Sequence, residues 1–153
     1  MKKTYEYEIV QDTNPTDPRE WDNITTMICF HNRYTIGDKH EYKSNNYNGW
    51  QELKEQIESD YKVLMIKPLY MYDHSGISIS TSPFSCRWDS GQIGFVLVSK
   101  KKALEEYGGV RISSKKKAKI ERVLNGEIET YTKYVEGEVY GFQIVNEDNE
   151  VID

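Results

Sequence analysis

The chain of 153 residues is 37% hydrophobic and 29% charged, with a formal net charge of −5 at pH 7. That length and composition fit one soluble domain able to bury a core without staples, and no run approaches the ~20 apolar residues of a membrane helix. Two cysteines, Cys29 and Cys86, make neither a disulfide framework nor a four-ligand zinc pattern, and the opening MKKTYEYEIVQD lacks the apolar core of a signal peptide, so reduced thiols in a cytoplasm are expected.

Residues 4–11, TYEYEIVQ, alternate and predict a strand. DTNPTDPREWDN is a loop by its Asp, Asn and Pro content, and ITTMICF at 24–30 predicts a buried strand. A polar loop follows, with a short strand expected at 33–36. Asn48 and Gln51 stand in capping-box spacing ahead of a helix over about 49–60, whose Trp50, Leu53, Ile57 and Tyr61 recur at helical period. Residues 62–72, KVLMIKPLYMY, form the most apolar strand, and Pro68 asks for a bulge or an edge. ISIST and QIGFVLV continue as strands. Ser99 caps a short helix through Tyr107, stopped by Gly108 and Gly109, and Ser113 or Ser114 caps the next. The stripe of Ile120, Leu124, Ile128, Tyr131 and Val135 is expected to break in two at Asn125-Gly126. GEVYGFQIV is a final strand, and an acidic tail begins at about 146. The expected architecture is a single α+β domain over 1–153, a mostly antiparallel sheet with three to four helices packed on it.

Charge is spread unevenly. Segment 99–122 holds nine basic residues against three acids, net +6, which leaves about −11 elsewhere, and 127–153 alone carries −7. The lysines at 100–102 and 115–119 stand at helix starts, where the macrodipole disfavours cations; phosphate contact is one use for them, a solvated face the simpler one. The acidic remainder argues against nonspecific DNA binding and for a basic partner, and twelve tyrosines suit an interface.

Residues 72–98, YDHSGISISTSPFSCRWDSGQIGFVLV, crowd reactive side chains between two strand-like ends. Cys86 with His74 and Asp89 has the composition of a thiol nucleophile, an imidazole base and an orienting carboxylate. Asp73 and Asp89 are a candidate metal pair. Each aspartate also opens a turn, Asp73-His-Ser-Gly and Asp89-Ser-Gly, in which its carboxylate would accept backbone or serine hydrogen bonds. The turn reading is preferred: a double turn builds a polar pocket, Trp88 anchors it, Gly76 and Gly91 give backbone freedom or room for close approach, and Arg87, His74 and Gln92 face a ligand. Asp73, Trp88 and Asp89 complete the binding set, with no catalytic residue. No metal or other cofactor is expected. DTNPTDPREWD lacks the glycine and closing glutamate of a calcium loop, and His31, Arg33 and His40 have no zinc spacing with Cys29. No P-loop, dinucleotide glycine pattern, GxSxG or HExxH occurs.

DPREWDNITTMICFHNRY, YDHSGISISTSPFSCRWDSGQIGFVLVSKKKALEEYG and GEVYGFQI together resemble a family of small uncharacterised proteins encoded by tailed phages and mobile elements, over about residues 17–144. The resemblance implies a setting, a phage accessory gene expressed in a bacterial host cytoplasm, and no reaction or catalytic residue. Two functions follow as expectations. The first is a binding protein that counteracts a host defence system, an anti-CRISPR or similar inhibitor, by engaging a defence protein or its nucleotide signal. The second is a small hydrolase or transferase using Cys86, His74 and Asp89, or the Asp73/Asp89 metal pair. His74, Cys86 and Asp89 within hydrogen-bond reach in an open pocket would favour the enzyme; side chains spent on backbone bonds would favour the binder.

Overall fold

In the computed structural model, which describes residues 4–152, the elements run β1 (Tyr5–Gln11), β2 (Thr26–Cys29), α1 (Trp50–Tyr61), β3 (Val63–Asp73), β4 (Ile77–Ser80), β5 (Ser90–Ser99), α2 (Lys100–Tyr107), α3 (Ser114–Glu136) and β6 (Tyr140–Asn146), with short 3-10 turns at Pro18–Glu20 and Ser44–Asn46. The order of strands and helices is the expected one, and the fold is α+β.

Four strands form an antiparallel sheet in the order β2-β5-β3-β4. Its central strand β5 is covered on both sides. Phe95 and Leu97 meet Leu53 and Ile57 of α1, while Val96 and Val98 join Met27, Leu69 and the α3 residues Ile120, Leu124 and Tyr131. A strand buried on both faces reads as a continuous apolar run, which is why QIGFVLV does not alternate. Gly94 makes the β2–β5 contact possible, since a Cβ there would lie 1.9 Å from the Ile28 carbonyl oxygen. Pro68 sits where β3 has no β4 neighbour, because that pairing begins at Tyr70, and a register shift against β5 follows at Leu69/Tyr70. Edge placement and irregularity both hold there. Ser99 and Ser113 cap α2 and α3 by accepting the Lys102 and Lys116 amides at 3.1 and 3.2 Å.

Several expectations are corrected. β1 and β6 pair with each other in a two-stranded sheet separate from the other four described strands. Both alternate strongly with polar residues, Glu6, Glu8 and Gln143 among them, and so do not suit a sheet buried on both faces. α1 begins with Gly49 as its N-cap, with no side-chain cap; Glu52 reaches back to accept the Asn48 amide at 2.6 Å, while Gln51 turns to Glu55. α3 is unbroken through Asn125-Gly126. The cost of a helical glycine, about 1 kcal/mol, is smaller than what the buried stripe on either side contributes. Residues 33–36 are loop, not strand, although Ile36 is buried. The acidic segment after 146 turns back, with Val151 bridging to Val145.

A buried clasp ties the loops to α3. Arg19 donates two parallel hydrogen bonds to Asp38, and its Nη2 also reaches the Thr25 carbonyl at 2.8 Å. Glu127 of α3 accepts the Ile24 and Thr25 amides at 2.7 and 3.1 Å and stands 3.7 Å from Arg19. Burial works against the Arg19 charge, but the hydrogen bond and field of Asp38, helped by Glu127, leave its pKa raised. Asp38 also accepts the Met27 amide, which covers the outer edge of β2.

Candidate functional site

The end of β3 and the start of β5 are fixed to each other by the ladder, Tyr72 opposite Ser90, and by the Asp73 amide donating to the Asp89 carbonyl at 2.8 Å. That pairing sets Asp73 and Asp89 at one end of the sheet. On the far side of β5, Phe30 extends the β2 ladder by donating to the Ile93 carbonyl at 2.8 Å, so residues 30–33 leave the sheet at the same end. Between these segments lies an open groove of about 440 Å³. Ser90–Ile93 form one side of it, residues 30–33 another, and Asp73, Trp88 and Asp89 also line it.

Arg33 reaches across to Asp73 and forms an ion pair with its carboxylate. The guanidinium also lies over the Tyr34 ring, 5.5 Å from its centre. His31 Nδ1 accepts the Arg33 and Tyr34 amides at 3.1 and 3.2 Å and holds that loop in a tight turn, with its ring stacked on Tyr34. The second histidine of that loop, His40, uses Nε2 on the Cys29 carbonyl at 2.9 Å and packs edge-on against Phe30.

Asp89 is the meeting point of the reactive residues. His74 Nδ1 lies 3.1 Å from Asp89 Oδ2, and Cys86 Sγ lies 3.9 Å from the same oxygen. The carboxylate therefore stands between thiol and imidazole. A cysteine nucleophile needs the imidazole in the middle, where it can take the proton from sulfur and be steadied by the acid. Neither His74 nor Cys86 lines the groove. Each of the two carboxylates already faces a basic side chain, Arg33 at Asp73 and His74 at Asp89. Among the described residues no three His, Cys, Asp or Glu side chains gather as a cation cage.

Of the six residues of the expected binding set, Asp73, Trp88, Asp89 and Gln92 line the groove, and His74 and Arg87 do not. Among the described residues neither aspartate accepts from a backbone amide or a serine: their partners are the side chains just named, and Ser90 Oγ donates instead to the Cys86 carbonyl. Trp88 is not an anchor. It is 97% exposed, because Phe84 already supplies the apolar contact of its loop, its ring 5.6 Å from that of Tyr72. Gly76 and Gly91 have open space around them and no left-handed backbone; the left-handed residue of the turn is Ser75, φ 59°. Arg87 is exposed and does not line the groove, while Gln92 Nε2 spends a proton on the Gly94 carbonyl at 3.3 Å. Phe30, His31, Asn32 and Arg33 are groove residues outside the expected binding set: the sequence put Phe30 at the end of a buried strand, His31 and Asn32 in a polar loop and Arg33 at the start of a short strand. Only the strand order, β2 next to β5, brings them there.

No helix among the described residues is long and apolar enough to cross a membrane. Comparisons of the chain with protein-family models, with curated proteins and with solved structures give no match.

Proposed function

We propose that this chain is a phage-encoded binding protein that counteracts a bacterial host defence system by docking on a defence protein through the groove between residues 30–33 and 88–93. The observation that carries this reading is the Trp88 side chain, 97% exposed at the groove. Leaving an indole in water forgoes the burial that ordinarily holds such a ring inside, and tryptophan is the residue type most enriched at binding hot spots. The groove's charges favour a protein over a nucleotide signal. The groove's arginine, Arg33, is already paired with Asp73, and Asp89 adds a further carboxylate, so a polyphosphate would find no unpaired arginine or lysine in its lining. A basic or neutral protein surface needs none. The host setting rests on the phage-family resemblance.

The test is phage survival on a defence-proficient host, with variants compared at equal soluble level. Trp88→Ala is expected to lose activity with unchanged melting, and Cys86→Ser to keep it. Cys86→Ser abolishing activity at unchanged melting would overturn the reading.

A second reading, a small thiol hydrolase or transferase, is favoured by one observation: Cys86 and His74 do converge on Asp89. It requires the His74 ring to leave Asp89 and turn to the sulfur. Covalent labelling of Cys86 by iodoacetamide, with loss of activity and protection by ligand, would support it.

A further inference from the structure

We infer that the β1–β6 ribbon carries a face on which a second copy of this chain docks, ribbon against ribbon. The register places Tyr5 opposite Asn146, Tyr7 opposite Ile144, Ile9 opposite Phe142 and Gln11 opposite Tyr140. Residues directly opposed in an antiparallel pair point to the same side. One side of the ribbon is therefore an unbroken array of aromatic and aliphatic side chains with only Gln11 and Asn146 as polar members. Tyr5 is 50% exposed, Tyr7 76%, Ile9 78%, Tyr140 62% and Phe142 71%. Tyr7 and Phe142 touch edge to face, 6.1 Å between ring centres, so the array is already ordered. At its root the ribbon's ladder is continued by the Asp12 amide on the Val139 carbonyl, and Gln11 ties it to the end of α3 by donating to the Gly137 carbonyl at 2.9 Å. An isolated two-stranded ribbon is marginal in water and gains stability from a cover on its apolar side.

Charge decides what that cover is. Not one of the eight residues on this side is charged. The strands' acids, Glu6 and Glu8, lie on the opposite side, where Gln143 donates to Glu8 at 2.7 Å. Glu147, Asp148 and Glu150 follow directly after β6. A nucleic acid or an anionic membrane would find no cation here and several nearby acids. A basic peptide would find a carboxylate only at the Asn146 corner of the face, where Glu150 already accepts the Asn146 side-chain amide at 2.9 Å. A second copy meets neither obstacle: two charge-free arrays face each other at the ~10 Å spacing of packed sheets, and the glutamates of both copies stay in water. Taking about 150–250 Å² for each aromatic side chain, the exposed part of the array is roughly 600 Å², so a two-fold pair would bury roughly 1,200 Å², within the range of specific interfaces.

The test is sedimentation velocity of the full chain up to about 100 µM, which populates a dimer of micromolar dissociation constant. The expected wild-type species has twice the 18.0 kDa chain mass. Phe142→Glu and Tyr7→Glu should each weaken association by about 30-fold or more at unchanged circular dichroism, whereas Trp88→Ala should leave it intact, which separates this surface from the groove. Should a glutamate variant melt early, Tyr7→Ser gives the same reading against Glu6→Ser, whose side chain lies on the far side: the first should weaken the dimer and the second leave it. A wild-type monomer at about 100 µM, or a dimer indifferent to both Phe142→Glu and Tyr7→Glu, would overturn the inference. So would a monomer that co-sediments with phosphatidylcholine vesicles, which would assign the face to a lipid surface.

Discussion

Arg19 and Asp38 are joined by two parallel hydrogen bonds, Nε to Oδ1 and Nη2 to Oδ2, each 2.8 Å long, with the arginine side chain only 5% exposed. Removing one partner of a buried pair strands the other charge, at a cost of about 3–5 kcal/mol. Arg19→Ala strands two, Asp38 and Glu127, and the expected loss lies in that range or above it. Arg19→Lys keeps the charge but loses the planar fork and should also destabilise clearly. Urea denaturation measures both, and a fully stable Arg19→Lys would show that the fork geometry contributes nothing.

Gly126 lies within α3 with open space around it and an ordinary helical backbone. Gly126→Ala should therefore stabilise the protein by about 0.5–1 kcal/mol, through the lower entropy of the unfolded chain and better helix propensity. A lowered melting temperature would mean that the position needs its glycine.

Neither of those two sites was readable in the sequence, whereas other features were. The apolar period of α1, the uninterrupted β5 and the two serine caps are local signals, and each appears where its spacing put it. Gly126 misleads because propensity is a weak local term and the flanking stripe is buried. The Arg19 clasp joins three segments far apart in the chain, so no window contains it. Trp88 misleads for a different reason. Composition says that an indole is buried, and only the placement of Phe84 against Tyr72 shows that the loop already has its anchor. Arg33 needed the strand order before it could be set beside Asp73.

Leu53 is 2% exposed and packs with Ile57, Phe95 and Leu97, whereas Trp50 from the same helix stays 36% exposed and meets Phe95 by its edge. Leu53→Ala should cost about 2–5 kcal/mol, transfer and cavity together, and Trp50→Ala less. Thermal melts of the two variants side by side would show the order. The reverse order would place the helix's buried face around Trp50.

Alkali should unfold the protein early. Burial first, and then the field of Asp38, pushes the Cys29 thiol up from 9.0 to about 12, and burial raises Tyr131 from 10.0 to about 12 although its oxygen accepts the Gly37 amide. In that window the folded chain keeps protons that the unfolded chain has released, so stability is whole below about pH 9 and falls as pH rises toward 12. For Cys29 alone the full loss is about 4 kcal/mol. Urea midpoints should drop above pH 9, and Cys29→Ala should flatten the drop between pH 9 and 10, before Tyr131 contributes. An unchanged slope would show that Cys29 is not the titrating group.

The pairing of β1 with β6 has a consequence for the timing of assembly. It joins segments from opposite ends of the described chain, with the Thr4 amide reaching the Glu147 carboxylate across 143 positions. A contact of that separation closes late, since its loop entropy must be met by structure already formed in between. At translation speeds of about 5–20 residues per second, β1 emerges on the order of ten seconds before its partner exists. During that interval a strand bearing Tyr5, Tyr7 and Ile9 has no mate. Glu6 and Glu8, interleaved with them, act as gatekeepers: like charges would be brought together if two nascent copies paired by their edges, so the early strand is held apart from its neighbours until β6 arrives.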